Sequence, residues 1–265
     1  FPDAWLGVNW QPSGAISIKA VACVTCHNEA DEGNLSRFEL VQASIRLDLA
    51  SILKSNGVCP ANSRLEASLE AGRFVVPFGA FASQVNPGVY RTVSRPLIFN
   101  MGQRVFADNL GDPVLPMPYS DEGANFSTSF SLFDDMTFSS DTYVVNGLQG
   151  DGTSINFDAS RDYMDNNRSP AIGGRWTVGN SLLKLGTSAM TGRYNGPGGI
   201  GPNASGTGYS IFGADATFRY EDLFRVQAEY AQRNSDSFIG APGQMFGTDR
   251  VRGGYVESEL WLLDD

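Results

Sequence analysis

Residues 212–233 read "FGADATFRYEDLFRVQAEYAQR". Phe212, Ala214, Ala216, Phe218 and Tyr220 share one parity, and Asp215 and Arg219 take the other. Beyond the tight joint "RYEDLFR" the alternation restarts, with Phe224, Val226, Ala228 and Tyr230 opposite Arg225, Gln227, Glu229 and Arg233. Successive side chains of a strand point to opposite faces, so the stretch reads as two consecutive strands, each with an apolar and a polar face.

The same period runs outward in both directions. In "RFELVQASIRLDLAS" Val41, Ala43, Ile45, Leu47 and Leu49 oppose Gln42, Ser44, Arg46 and Asp48. In "RLEASLEAGRF" Leu65, Ala67, Leu69 and Ala71 oppose Arg64, Glu66, Ser68 and Glu70. Phe126 and Phe130, Ile172 and Trp176, Leu183 and Leu185, and Val256 and Leu260 continue the pattern. About nine runs are clear and two or three are weaker, "AWLGVNW" near the start among them.

The runs are about 9–11 residues long, the length of a tilted membrane strand, whereas soluble strands centre on about five or six. Tight joints alternate with long polar loops such as "YNGPGGIGPNASGTG", and aromatics including Tyr143, Trp176, Tyr220 and Tyr230 fall near strand ends. Short turns on one side, long loops on the other and aromatic girdles describe an outer-membrane barrel. A soluble β-sandwich also alternates. Against it, the apolar faces are rich in Ala, Gly, Thr and Phe, and the polar faces carry both charge signs, as a water-filled lumen would. The expectation is therefore all-β: an antiparallel up-and-down transmembrane β-barrel of about 10–16 strands over 35–265, after an N-terminal segment 1–34.

Composition narrows the function. The chain has 265 residues and a net charge of −10, which argues against a nucleic-acid partner. Of its 19 cations only Lys19, Lys54 and Lys184 are lysines, and arginine suits confined, hydrogen-bonded positions. No apolar run reaches the ~18 residues of a membrane helix, which leaves strand-wise spanning open. Phe1 is not an initiator, so the start reads as cleaved or trimmed.

Residues 22–28, "ACVTCHN", hold a second signal. Cys23, Cys26 and His27 spell C-x-x-C-H, in which two thiols add to haem vinyl groups and the imidazole ligates the iron. Met117, between Pro116 and Pro118, is the candidate sixth ligand, against the ordinary reading of a loop methionine. Two other readings stand beside haem c: a Cys3His zinc site using Cys59, and a disulfide with one cysteine spare. The sole histidine lies in this motif, so no hydrolytic triad is available and transport is expected in place of turnover.

The stretch "LEAGRFVVPFGAFASQVNPGVYRTVSRPLIF" resembles bacterial outer-membrane porins of the phosphate-selective type. "RSPAIGGRW" and "FRVQAEYAQR" are similar to that family's strand phrases, and the likeness runs from about Leu35 to Leu263. It implies an antiparallel barrel that passes small solutes across the bacterial outer membrane, in contact with its lipid and often as a homo-oligomer. A haem motif followed by a barrel is also the order in fused cytochrome–porins, which implies electron transfer with a periplasmic carrier. The plain porin, with no haem and small solutes that include anions, is the alternative.

For either, the pore-lining set reads as Arg46, Arg64, Arg73, Arg175, Arg219, Arg225, Arg233, Glu257 and Glu259 on polar faces. Arg91 and Arg95 follow the Pro-Phe-Gly turn, where an infolded loop would narrow the pore. Facing rows of opposite charge select ions in transit, though many such charges simply pair across strands.

Overall fold

The computed structural model describes residues 4–24, 38–60, 63–84, 96–99, 113–115, 119–133, 135–150, 154–157, 160, 169–194, 207–238 and 246–261. Eleven strands form one sheet: β1 (Ala4–Ser13), β2 (Ile16–Val24), β3 (Phe38–Asp48), β4 (Glu66–Val75), β5 (Ser120–Ser131), β6 (Thr137–Val145), β9 (Ala171–Gly179), β10 (Leu183–Arg193), β11 (Gly208–Tyr220), β12 (Phe224–Phe238) and β13 (Phe246–Leu260). Every neighbour pair is antiparallel and in sequence order, so the sheet is up-and-down throughout. A separate hairpin, β7 (Gln149–Gly150) with β8 (Ile155–Asn156), interrupts the chain between β6 and β9. The first residues, expected to form a segment apart, supply β1 and β2 to the main sheet, and β2 pairs with β3 along its length.

The connections divide by length. At one end of the strands lie the turns at Gly14–Ala15, 132–136, 180–182 and 221–223. At the other lie the long connections 76–119, 146–170 and 194–207.

The joint between β3 and β4 departs from the pattern. Alternation through Leu49 and beyond reads as strand, yet the chain turns into helix α1 (Leu49–Ser55). Asp48 caps it, its carboxylate accepting from the Ser51 amide (2.9 Å) and hydroxyl (2.6 Å). Gly57, at φ +72°, closes the other end. A side-chain acceptor at the N-cap and a left-handed glycine after the last turn outweigh a two-residue period over so short a run.

The sheet is inverted relative to a soluble one. Leu6, Val8 and Trp10 on β1, Ile45 on β3, Phe126 on β5, Ile172 on β9, Phe212 on β11 and Val256 on β13 share one face and are 44–74% exposed. Left in water, each forgoes about 1.5–3 kcal/mol of burial. The opposite face carries buried polar groups: Ser44, Ser68, Asn125, Ser188, Asp215, Gln227, Glu229 and Arg233. That arrangement rejects the β-sandwich, whose apolar faces meet inside.

Candidate pore and its lining

The inner wall is set by strand register. Asp141 on β6 pairs with Arg175 on β9, and Arg175 with Ser188 on β10. Ser188 pairs with Gly213, Gly213 with Ala231, and Ala231 with Gly253. Four consecutive strands thus present small side chains at one level of the interior, where they receive the connection between β4 and β5.

That connection folds inward. Val76, Phe78, Phe81, Phe99, Val114 and Leu115 are buried in one cluster with inward residues of the wall. A Cβ on Gly213 would stand 3.0 Å from the Phe78 ring, and one on Gly253 would strike Ile98. Phe81 and Phe99 stack at 5.7 Å, and both meet the Tyr255 ring edge-on at 6.3 Å. The Ser188 hydroxyl accepts the Gly79 amide (2.9 Å).

Glu229 holds the same segment by charge. Its Oε2 accepts from the amides of Ala80 and Phe81, both at 3.2 Å, and from the Tyr255 hydroxyl at 3.0 Å. Gly79 takes φ +67° there, and a side chain on it would overlap the Glu229 carboxylate. Only glycine fits a positive φ pressed against another group at no steric cost.

Two water-accessible cavities lie beside the segment among the described residues. One, of about 800 Å³, lies along β1–β6 and is lined largely by hydroxyls and amides, among them Gln42, Ser44, Ser68, Ser127 and Ser139. Four carboxylates among the described residues line it, Asp48, Glu66, Glu70 and Asp141, and the last two are taken up by those neutral groups. Gln42 and Ser44 donate to Glu70 (3.0 and 2.5 Å), and Ser127 and Asn125 donate to Asp141 (2.6 and 3.2 Å). Lys19, Arg46 and Lys54 line the same cavity and form no ion pair among the described residues. The second cavity, about 880 Å³, runs under Ala80 along β6–β13 and shares Ser139 and Asp141 with the first. Here most charges are paired, Lys184 being the exception among the cations of the described residues. Arg175 grips Asp215 with both terminal nitrogens (2.6 and 2.9 Å), and Arg225 meets Glu259 at 3.2 Å. The Arg175–Asp215 pair is bidentate and nearly buried, the geometry in which such pairs are strongest.

Of the expected lining residues, Arg46 borders the first cavity, and Arg175, Arg219, Arg225 and Glu259 border the second. Glu257 lies on the inward parity of β13, opposite Gln227. Arg64 is exposed just before β4, away from both cavities. Arg73 is buried and bonded to Glu122 at 2.7 Å, and its register puts it on the parity of Leu69 and Ala71, the outward one. Arg233 is also buried: it donates to the Pro113 carbonyl (2.8 Å) and stands 4.7 Å over the Phe157 ring, bracing two inward segments. Arg91, Arg95, Cys26, His27 and Met117 lie outside the described residues. Cys23 sits fully buried at the end of β2 against Val41 and is disulfide-bonded, while Cys59 is free. The sequence reading missed Asp141, Lys19 and the hydroxyl wall. Its sign was visible as serine and asparagine on the polar parity of β5 and β6, set aside in favour of full charges.

No family model and no curated protein sequence matches the chain. Among solved structures it is similar to the outer membrane channel DcaP of Acinetobacter baumannii, at 12% identity and TM-score 0.41 over 97% of this chain. The chain spans 62% of that channel's length. It is also similar to OmpT, an outer membrane protein of Vibrio cholerae solved in a trimer form, at 9% identity and TM-score 0.35, covering 97% of this chain and 80% of that one.

Proposed function

We propose that the chain forms an outer-membrane channel of the porin type that passes small polar solutes by diffusion. The observation that carries this reading is the inverted sheet: an apolar outer face, a hydrogen-bonding inner wall and a segment folded inward across it. Lipid replaces water against the exposed leucines and aromatics, and all strand backbone groups between neighbours are satisfied within the sheet. The pore narrows where residues 78–81 lean on Ser188 and Glu229.

Anion preference is the finer part of the proposal. Lys19, Arg46 and Lys54 supply positive charge beside carboxylates, Asp48, Glu70 and Asp141, that are already hydrogen-bonded, along a wall whose hydroxyls donate to oxyanions. Planar-bilayer recording under a salt gradient tests both parts. A reversal potential favouring chloride is expected, moving toward zero in Arg46→Gln. No conductance from correctly folded protein would sink the channel reading.

A second reading, a c-type haem passing electrons across the membrane, rests on the spacing of Cys23, Cys26 and His27. It is the weaker one, since the spacing of those three residues alone supports it. A visible spectrum and intact mass of protein made in a haem-attaching host decide between them: a Soret band with a haem mass increment revives it.

A further inference from the structure

The outward face of the sheet is nearly free of charge. Among the described residues on that parity, the charged ones are Arg73 and Glu122, paired with each other, and Asp236, Arg193, Arg250 and Arg252. All lie toward the long connections. On β12 and β13 the change is abrupt: Tyr230 and Val256 are exposed apolar residues, and beyond Gly254, which pairs with Tyr230, the outward positions are Gln232, Asn234, Arg252 and Arg250.

These polar residues are already ordered by one another. The Tyr230 hydroxyl donates to Gln232, and the Gln232 amide donates to Asn234, both at 3.1 Å. Asn234 Oδ1 also accepts Arg250 Nε at 3.1 Å. The nearby carboxylate, Asp236, is occupied with the Gly208 amide (2.9 Å). Arg250 and Arg252 are exposed, about 7 Å apart along the strand, and form no ion pair among the described residues. Two guanidinium groups at the rim of an apolar belt match a phosphate that is itself anchored at that height.

We infer that the outward face of β12–β13 binds the phosphate of a membrane lipid headgroup through Arg250 and Arg252. The inference rests on the membrane reading above. A lipid is favoured over a soluble anion because the face adjoins the apolar belt and lies on the opposite side of the sheet from both cavities.

The full chain is folded into phosphatidylcholine vesicles with and without phosphatidylglycerol, re-extracted in mild detergent, and its retained lipid read by native mass spectrometry. Wild-type protein should retain phosphatidylglycerol selectively. R250Q/R252Q should retain roughly thirtyfold less, as about 1 kcal/mol per surface arginine implies. R250K/R252K should keep most of it, and R46Q on the inner wall should change nothing. Equal retention by R250Q/R252Q overturns the inference. So does displacement of the lipid by inorganic phosphate, which would mark a free-anion site, or a change of oligomeric state in place of lipid loss, which would mark contact with a second copy. Failure of the wild type to enter vesicles at all overturns the membrane reading as well, whereas insertion without selective retention overturns only the lipid site.

Discussion

Glu229 is the residue on which the proposed constriction turns. One carboxylate oxygen gathers two amides of the infolded segment and a tyrosine hydroxyl. Glu229→Ala leaves those donors unsatisfied in a buried place, at a cost of about 1–3 kcal/mol. Single-channel recording of this variant should show a larger and noisier conductance, and an unchanged trace would mean the segment is held by packing alone. Gly213→Val tests the packing separately. Its side chain would meet the Phe78 ring, where even a Cβ stands at 3.0 Å, and overpacking costs about 1–3 kcal/mol. The expected result is a lower melting temperature together with raised conductance. Stability lost with conductance unchanged would show that Phe78 does not fix the segment's position.

At the scale of elements, the contrast between β3 and α1 shows how far a periodic pattern carries. Alternation located β3 correctly through Asp48, then failed where a capping aspartate and a terminal glycine took over. Both signals stood in "DLASILKSNG", but seven helical residues are too few for a helical period to declare itself. Asp48→Ala should loosen this joint by about 1 kcal/mol. Amide exchange at Ser51 should accelerate while exchange in β11 and β12 stays the same, and a uniform acceleration would contradict a local cap. The infolded segment was legible only as a Pro-Phe-Gly turn in a porin-like phrase. Its docking site is scattered over Ser188, Gly213, Ala231 and Gly253, one residue per strand, and only strand register brings these together. No local pattern in the chain encodes such a row. Arg233 shows a related limit: parity tells which side of a strand a charge takes, but not what already covers that side.

For the whole molecule, the two faces make the sharpest claim. Ala216 and Thr217 are neighbours on β11, the first outward, registered with Ala228, and the second inward, lining the larger cavity. Ala216→Arg should weaken folding into vesicles by up to about 2–4 kcal/mol, the cost of arginine near a bilayer midplane, whereas Thr217→Arg should fold normally. Urea titration in vesicles measures both, and equal penalties would refute the assignment of the faces. The inward segment also has a temporal consequence. Ala80 and the glutamate that holds it are 149 residues apart in the chain, so their bond must wait until β12 has joined the sheet. Contacts of such sequence separation form late, after the loop-closure entropy has been met. On the channel reading proposed above, assembly therefore passes through a species in which most of the wall is formed and the constriction is not. If the chain is the channel proposed, a cell inserting it is exposed, for the duration of that last step, to a hole wider than the finished one.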